Sequence, residues 1–201
     1  FAIGPFTGTS VPCASRMAVT AKSPLTNTVA VSLSGGHFPV EMKFAGYDVI
    51  IIEGKAEKPT YVWIKDGEVR FRDAGTVWGM KTQDCQQVIK NELNDQNVRI
   101  TCIGPAGEKL SRLACIITES RAIGRKGLGA GMGSKNLKAI AVRGTGTVPV
   151  YSKEKLKVAK DAMAKAMKES PVLYPEFSKM GTPMVVDLTC AMGIFPTKNF
   201  S

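Results

Sequence analysis

With 201 residues, 44% of them hydrophobic, and a mean hydropathy near zero, the chain is long enough to bury one substantial core or two small ones sharing an interface. No apolar run approaches a membrane span, the longest candidate being the strand-length block Asp48 to Glu53. The formal charge of +10 asks for an anionic partner or a solvated basic face, while a lone histidine, His37, leaves a Ser-His-Asp or histidine–metal mechanism no second residue to run through.

The chain begins at Phe1 without a methionine, and Phe1 to Pro5 reads as the end of a strand entering a turn, so both ends are read as cut. Met17 to Thr20 and Thr28 to Ser32 follow as short β-type runs. Pro39 to Ala45 is a compact helix with proline in its first turn and Gly46 past its end. Val49 to Glu53 reads as a buried strand. Thr60 to Lys65 and Glu68 to Arg72 flank Asp66-Gly67, the strongest hairpin signal in the chain. Thr82 is expected to cap a helix whose apolar positions Cys85, Val88, Ile89 and Leu93 recur at helical spacing. Val98 to Ile103, Leu113 to Ile117 and Ala139 to Val142 are further strands, with a glycine-rich segment from Gly124 to Gly133 between the last two. Ser152 then opens a long helix with Leu156, Ala159, Met163, Ala166 and Met167 on one face, stopped at Pro171, and a second helix from about Pro183 to Met192 ends at Gly193.

The first two-thirds repeats itself. Ile3-Gly4-Pro5 recurs as Ile103-Gly104-Pro105, and Ser15-Arg16-Met17-Ala18 as Ser111-Arg112-Leu113-Ala114. Each half then carries a glycine cluster, runs through a short basic helix and closes on an apolar strand ending in a charged residue and glycine, Glu53-Gly54 or Arg143-Gly144. The expected fold is therefore α+β: a duplicated, pseudo-two-fold, sheet-rich domain over residues 1–150, with halves of about 1–97 and 98–150, then a helical connection over 151–201. The hairpin signal and the close succession of strands favour antiparallel pairing over a doubly wound nucleotide fold.

Glycines let backbone N–H groups converge on an anion, so both clusters are candidate cradles. Around the second, Arg121, Arg125 and Lys126 sit beside Gly124, Gly127, Gly129, Gly131 and Gly133, where a guanidinium could make bidentate bonds to phosphate. The segment fails both the Walker and the GxGxxG patterns, and a tightly packed turn without a ligand is an equal reading. Asp48, Glu53, Glu108 and Glu119 read as surface or turn carboxylates, and no catalytic constellation is self-contained in the chain. The five cysteines are spaced too widely for a metal clip and read as reduced thiols of a cytoplasmic protein. The lysines of Lys153 to Lys168 read as a solvated or docking face, with nucleic acid the sharper alternative.

The strings Ile3-Gly4-Pro5-Phe6-Thr7-Gly8-Thr9, Ala21-Lys22-Ser23-Pro24-Leu25-Thr26, Ser34-Gly35-Gly36, Lys43-Phe44-Ala45-Gly46-Tyr47-Asp48, Ile51-Ile52-Glu53-Gly54-Lys55-Ala56 and Met132-Gly133-Ser134-Lys135-Asn136-Leu137-Lys138-Ala139 together resemble the amino-terminal domain of aldehyde:ferredoxin oxidoreductases. The resemblance covers nearly the whole chain. It implies tungsten, or molybdenum, held by two pterins (tungstopterin), magnesium bridging the pterin phosphates, and a [4Fe–4S] cluster whose ligands lie outside this chain. It also implies oxidation of a small aldehyde to the acid, with ferredoxin as electron partner and further carboxy-terminal domains; a homodimer stays open. By position, Arg16 would bridge pterin and cluster, the main-chain carbonyls of Leu33 and Ala122 would face the magnesium, and Gly35, Arg121, Gly124 and Arg125 would line the pterins. Lys126, where relatives often have glycine, and His37, where an aromatic is usual, depart from the pattern. Reduction of an aromatic acyl-CoA on the same cofactor is one rival reading, and a non-catalytic phosphate- or nucleic-acid-binding module is another.

Overall fold

The computed structural model describes residues 1–200, and the chain divides into two compact units, Phe1–Pro149 and a second beginning at Val150. The first unit holds two sheets. Strands β1 (Ala2–Ile3), β2 (Arg16–Lys22) and β3 (Val29–Gly35) form an antiparallel sheet in that order. Strands β4 (Thr60–Lys65), β5 (Glu68–Asp73), β6 (Arg99–Cys102), β7 (Ile116–Thr118), β8 (Arg121–Ile123) and β9 (Leu137–Arg143) form the other, ordered β5-β4-β9-β6-β7-β8. The expected antiparallel pairing holds at every neighbour except β4–β9, which is parallel.

Local chemistry accounts for the well-predicted elements. Asp66 and Gly67 have φ of 46° and 89°, the left-handed pair that a two-residue hairpin turn demands, and they close β4 on β5 in register. Helix α1 (Phe38–Phe44) has proline in its first turn and ends at Gly46 with φ 92°. Helix α2 (Thr82–Glu92) buries Cys85 and Ile89 as its spacing requires, but its N-cap is Lys81 and no side chain caps it, so Thr82 is the first helical residue instead. In β4 and β9 the pleat sends successive residues to opposite cores: Val62, Ile64, Ile140 and Val142 to one, Tyr61, Trp63, Ala139 and Ala141 to the other. That is why Ala139 to Val142 of β9 reads as an unbroken apolar run.

The two halves share one strand-pairing plan. Ile3 N–H donates to Asp48 O at 3.0 Å, and Ile103 N–H donates to Lys138 O at 3.0 Å. Ala2 pairs with Ala18 as Cys102 pairs with Ile117, and Ala18 pairs with Leu33 as Ile117 pairs with Ala122. The register corrects one of the string matches: Ala18 corresponds to Ile117, not to Ala114, because β7 starts only at Ile116 and Ser111 to Cys115 form the turn leading to it. Helix α1 is matched by α4 (Leu128–Ser134), the short helix expected ahead of the last strand, which lies inside the glycine-rich segment and not after it. Strand β8 and the short helix α3 (Pro105–Glu108) are additions to the expected elements.

Val49 to Glu53 departs most from expectation. It makes a single bridge, Ala2 with Val49, and Val49 and Ile51 are 51% and 79% exposed. Its in-plane neighbour β1 is two residues long, too short to cover it.

In the second unit, Ser152 Oγ accepts from Lys155 N–H at 3.1 Å and opens α5 (Lys153–Glu169), the predicted cap. None of the residues of α5 is buried, its apolar face included. The second expected helix is a 3₁₀ turn, Thr182–Val185, followed by α-helix Val186–Ala191, with Gly193 at φ 67° just beyond.

Candidate functional site

The shared plan places Leu33 on β3 and Ala122 on β8 at corresponding positions of the two halves, and both are exposed. β3 and β8 lie side by side, and the link is polar. Arg125 N–H donates to Ser32 Oγ at 3.3 Å, and Ser23 Oγ donates to Lys126 O at 2.8 Å. Sequence reasoning missed Ser23 and Ser32; their burial at the seam is the only signal, and it is a tertiary one.

Beside this seam a cavity of about 450 Å³ brings together Ser15, Arg16, Gly35, Gly36, His37 and Arg121. Ser15 Oγ donates to the Gly36 carbonyl, and His37 N–H donates to Glu119 Oε2 at 3.0 Å. Gly36 has φ 113°, and a Cβ there would lie 2.9 Å from Glu119 Oε2; at Gly35 it would meet Ser15 O at 3.1 Å. Both glycines thus keep the cavity wall thin. Ala122, in the middle of β8, and Gly124 and Arg125, on the connection from β8 to α4, are not in this cavity. At Gly124 a Cβ would make only ordinary contacts, 3.7 Å to Ala122 Cβ and 3.8 Å to Cys115 Sγ, so the surrounding protein does not itself require glycine there.

Gly127, Gly129 and Gly133 of the second cluster serve packing, whereas Gly131 has open space. A Cβ at Gly127, Gly129 or Gly133 would lie 2.0 Å from Arg112 O, 2.5 Å from Cys115 O or 2.0 Å from Gly107 O. α4 therefore lies directly on backbone at Gly127, Gly129 and Gly133.

Two carboxylates expected at the surface are structural. Glu119, whose side chain is 20% exposed, sits at φ 53° in the turn between β7 and β8, pairs with Arg99 at 3.3 Å and holds the His37 N–H. Glu108 is 5% exposed; it pairs with the fully buried Lys138 Nζ and accepts from Gly79 N–H at 2.9 Å. Lys138 also donates to Met80 O at 3.0 Å, so both charges are satisfied. Arg16, Arg121 and Arg125 have no ion-pair partner among the described residues and are exposed. Glu119 is engaged by Arg99, so it does not offset the positive charge on this face.

All five cysteines are free. Hydrogen bonding with Cys85, then burial, pushes the Cys102 thiol well above its ordinary range, which makes it an inert core group. Among the described residues no cluster of three or more His, Cys, Asp or Glu could hold a metal ion. No helix among them is long and apolar enough to cross a membrane.

Fold and site together define a duplicated α+β platform with an arginine-lined face. A family model described as the N-terminal domain of aldehyde ferredoxin oxidoreductase matches residues 1–144. The tungsten-containing aldehyde ferredoxin oxidoreductase of Pyrococcus furiosus is 46% identical over 200 residues, covering 99% of this chain and 33% of that protein. The aliphatic sulfonate oxidoreductase WOR-like subunit of the same organism is 38% identical over 157 residues, covering 71% of this chain and 25% of that protein. Among solved structures, the active-site complex BamBC of benzoyl coenzyme A reductase, in complex with 1,5-dienoyl-CoA, matches with TM-score 0.82 and 35% identity over 88% of this chain and 27% of that one. The chain belongs to the aldehyde ferredoxin oxidoreductase family, whose named members are oxidoreductases, and it spans about a third of the length of its curated relatives.

Proposed function

We propose that residues 1–150 form the cofactor-bearing base of a tungsten, or molybdenum, bis-pterin oxidoreductase that oxidises an aldehyde to a carboxylic acid and passes electrons to ferredoxin in the cytoplasm. Residues 151–201 would connect this base to carboxy-terminal domains that carry the [4Fe–4S] ligands and the acid–base residues. The observation that carries the reading is the matched placement of Leu33 and Ala122 in the two halves, flanked by the unpaired Arg16, Arg121 and Arg125. A ligand made of two similar anionic parts suits a site built twice.

The residues fit that group. Gly35, Gly36 and Gly124 keep side chains out of its space, the arginines offer charge-assisted bonds to phosphate, and the Leu33 and Ala122 carbonyls offer oxygens to magnesium. The metal–pterin centre supplies the redox chemistry; this chain binds it, orients it and sets the charge around it. His37, on the cavity wall, would face the substrate side.

A second reading keeps the cofactor and changes the reaction to reduction of an aromatic acyl-CoA. The likeness to the benzoyl coenzyme A reductase complex favours it. The test is to produce the full-length parent anaerobically in a host that makes the cofactor and measure tungsten, molybdenum, iron and pterin per mole. The Arg16→Ala, Arg125→Ala variant is measured beside it. About one tungsten or molybdenum and about two pterins, reduced in the variant, are expected; a parent without pterin when both metals are supplied refutes the proposal. Aldehyde oxidation assayed against acyl-CoA reduction then separates the two reactions.

A further inference from the structure

Four buried side-chain atoms have no hydrogen-bond partner among the described residues: Arg99 Nε, Thr101 Oγ1, Thr118 Oγ1 and Glu119 Oε1. All four belong to one place in the fold. Arg99 and Thr101 are two apart on β6, so the pleat turns both to one face of the sheet, and Thr118 on β7 stands directly opposite Thr101. Glu119, the next residue, brings its carboxylate to Arg99. Nη1 there lies 3.3 Å from Oε1, within ion-pair range but without the alignment of a hydrogen bond. Thr101 also pairs with Ile140 and shares its side of the sheet, the side on which Phe38 and Met42 of α1 join the core.

We propose that these atoms enclose an internal hydration site, in which ordered water bonds both threonine hydroxyls and reaches Glu119 Oε1 and Arg99 Nε, bracing Glu119 as the support of the cavity wall at His37. Native interiors rarely leave even one buried polar group unsatisfied, and a cluster of them marks a place for water. Directly opposed ladder residues have Cβ atoms about 4.5–5.5 Å apart, a separation that one water spans with two bonds of about 2.8 Å. The chemistry selects water over an ion. The hydroxyls donate or accept, a carboxylate oxygen accepts and a guanidinium Nε donates, and water alone does both. An anion would meet Glu119, and a cation would meet Arg99.

The first half shows that the ladder itself does not ask for hydroxyls. By the shared register, Thr101 and Thr118 take the places that Phe1 and Val19 hold there. Val19 is 4% exposed and Phe1 packs against the same core, so hydrocarbon is accepted at both positions. Hydroxyls buried in their stead need a polar partner that the protein does not supply. That partner matters to the arginine-lined cavity. Glu119 Oε2 accepts the His37 N–H at 3.0 Å and lies against Gly36, and water on Oε1 holds the carboxylate from behind in that position. The site depends on the packing of this chain alone, so it stands whichever reaction the cavity serves.

The first test is a crystal structure of the full-length parent at a resolution that shows ordered water. A water within hydrogen-bond distance of both Thr101 Oγ1 and Thr118 Oγ1 is expected; a dry contact, or hydroxyls turned to main-chain carbonyls instead, overturns the proposal. Stability then separates the two cases by sign, because Thr118→Val keeps the shape and removes only the hydroxyl. With water bound, the change takes away a hydrogen bond and should lower the unfolding midpoint by roughly 1–3 °C. In a dry site it removes an unsatisfied group, and a raised midpoint therefore overturns the proposal. The bracing of the cavity wall is read by hydrogen exchange. The rate at the His37 amide relative to that at Ile140, in the middle of β9, should rise roughly threefold or more in Thr118→Val; an unchanged ratio overturns the proposal. If Thr118→Val does not fold, Thr101→Val removes the hydroxyl from the other side and carries the same expected signs.

Discussion

The two halves of residues 1–149 carry the same ladder under different loads. In the second, β9 is covered on both faces and on both edges, and the residue at the shared acceptor position, Lys138, is fully buried in an ion pair with Glu108. In the first, the corresponding Asp48 has a side chain 62% exposed and pairs with Lys43 in solvent, and the segment after it lies open. One pairing plan thus serves as load-carrying core once and as a solvent-facing edge once. The plan fixes backbone hydrogen bonds, and the neighbours decide what each side chain is worth.

The largest contrast should appear at that shared position. Lys138→Ala leaves the Glu108 carboxylate buried and unpaired and should cost about 3–5 kcal/mol in chemical denaturation, whereas Asp48→Ala should stay within about 0.5 kcal/mol. Equal effects would mean that the two halves carry similar loads after all. Next come the glycines that close each half. A Cβ at Gly144 would lie 2.2 Å from Ala45 N, so Gly144→Ala should cost about 3 kcal/mol. Gly54 has open space and only a φ of 72°, so Gly54→Ala should cost about 1 kcal/mol.

A further, smaller effect than those at Lys138 and Gly144 tests the helix-covered face that the first half lacks. Tyr61 OH donates to Glu92 Oε1 at 2.8 Å, and Tyr61→Phe should cost about 1 kcal/mol. Burial, then Glu92, raises the Tyr61 phenol above its ordinary value, so the folded state favours the protonated form. Its contribution should be intact below about pH 10, the unfolded value, and should fall as pH rises beyond it. A stability difference between wild type and Tyr61→Phe that does not change across that range would contradict this.

Elements governed by local chemistry were legible in the chain. Asp66-Gly67 can hardly do anything but turn, Ser152 caps α5 as a serine before a helix does, and the apolar spacing of α2 marks its buried face. α4 was legible only as a short basic helix ahead of the last strand; its place inside the glycine segment was not, because Gly129, Gly131 and Gly133 weaken its helical signal, and Gly129 and Gly133 are present for close approach to Cys115 and Gly107. The open edge at Val49 to Glu53 was misread for a related reason. An apolar run shows that a strand is suited to burial, but whether a partner covers it depends on a distant segment.

For the site, the sequence alone supplied the repeat, both glycine clusters, the arginines and the family resemblance, since these are written in residue type and order. Only the tertiary structure decided which glycines face a cavity and which face backbone, that Leu33 and Ala122 hold matched positions, and that Glu119 is tied to Arg99 and the His37 N–H, leaving Arg16 and Arg121 free of ion pairs. The physical reason is range. Turn, cap and periodicity preferences act over a few residues, whereas burial, close approach and charge pairing are set by segments that meet only when the chain has folded.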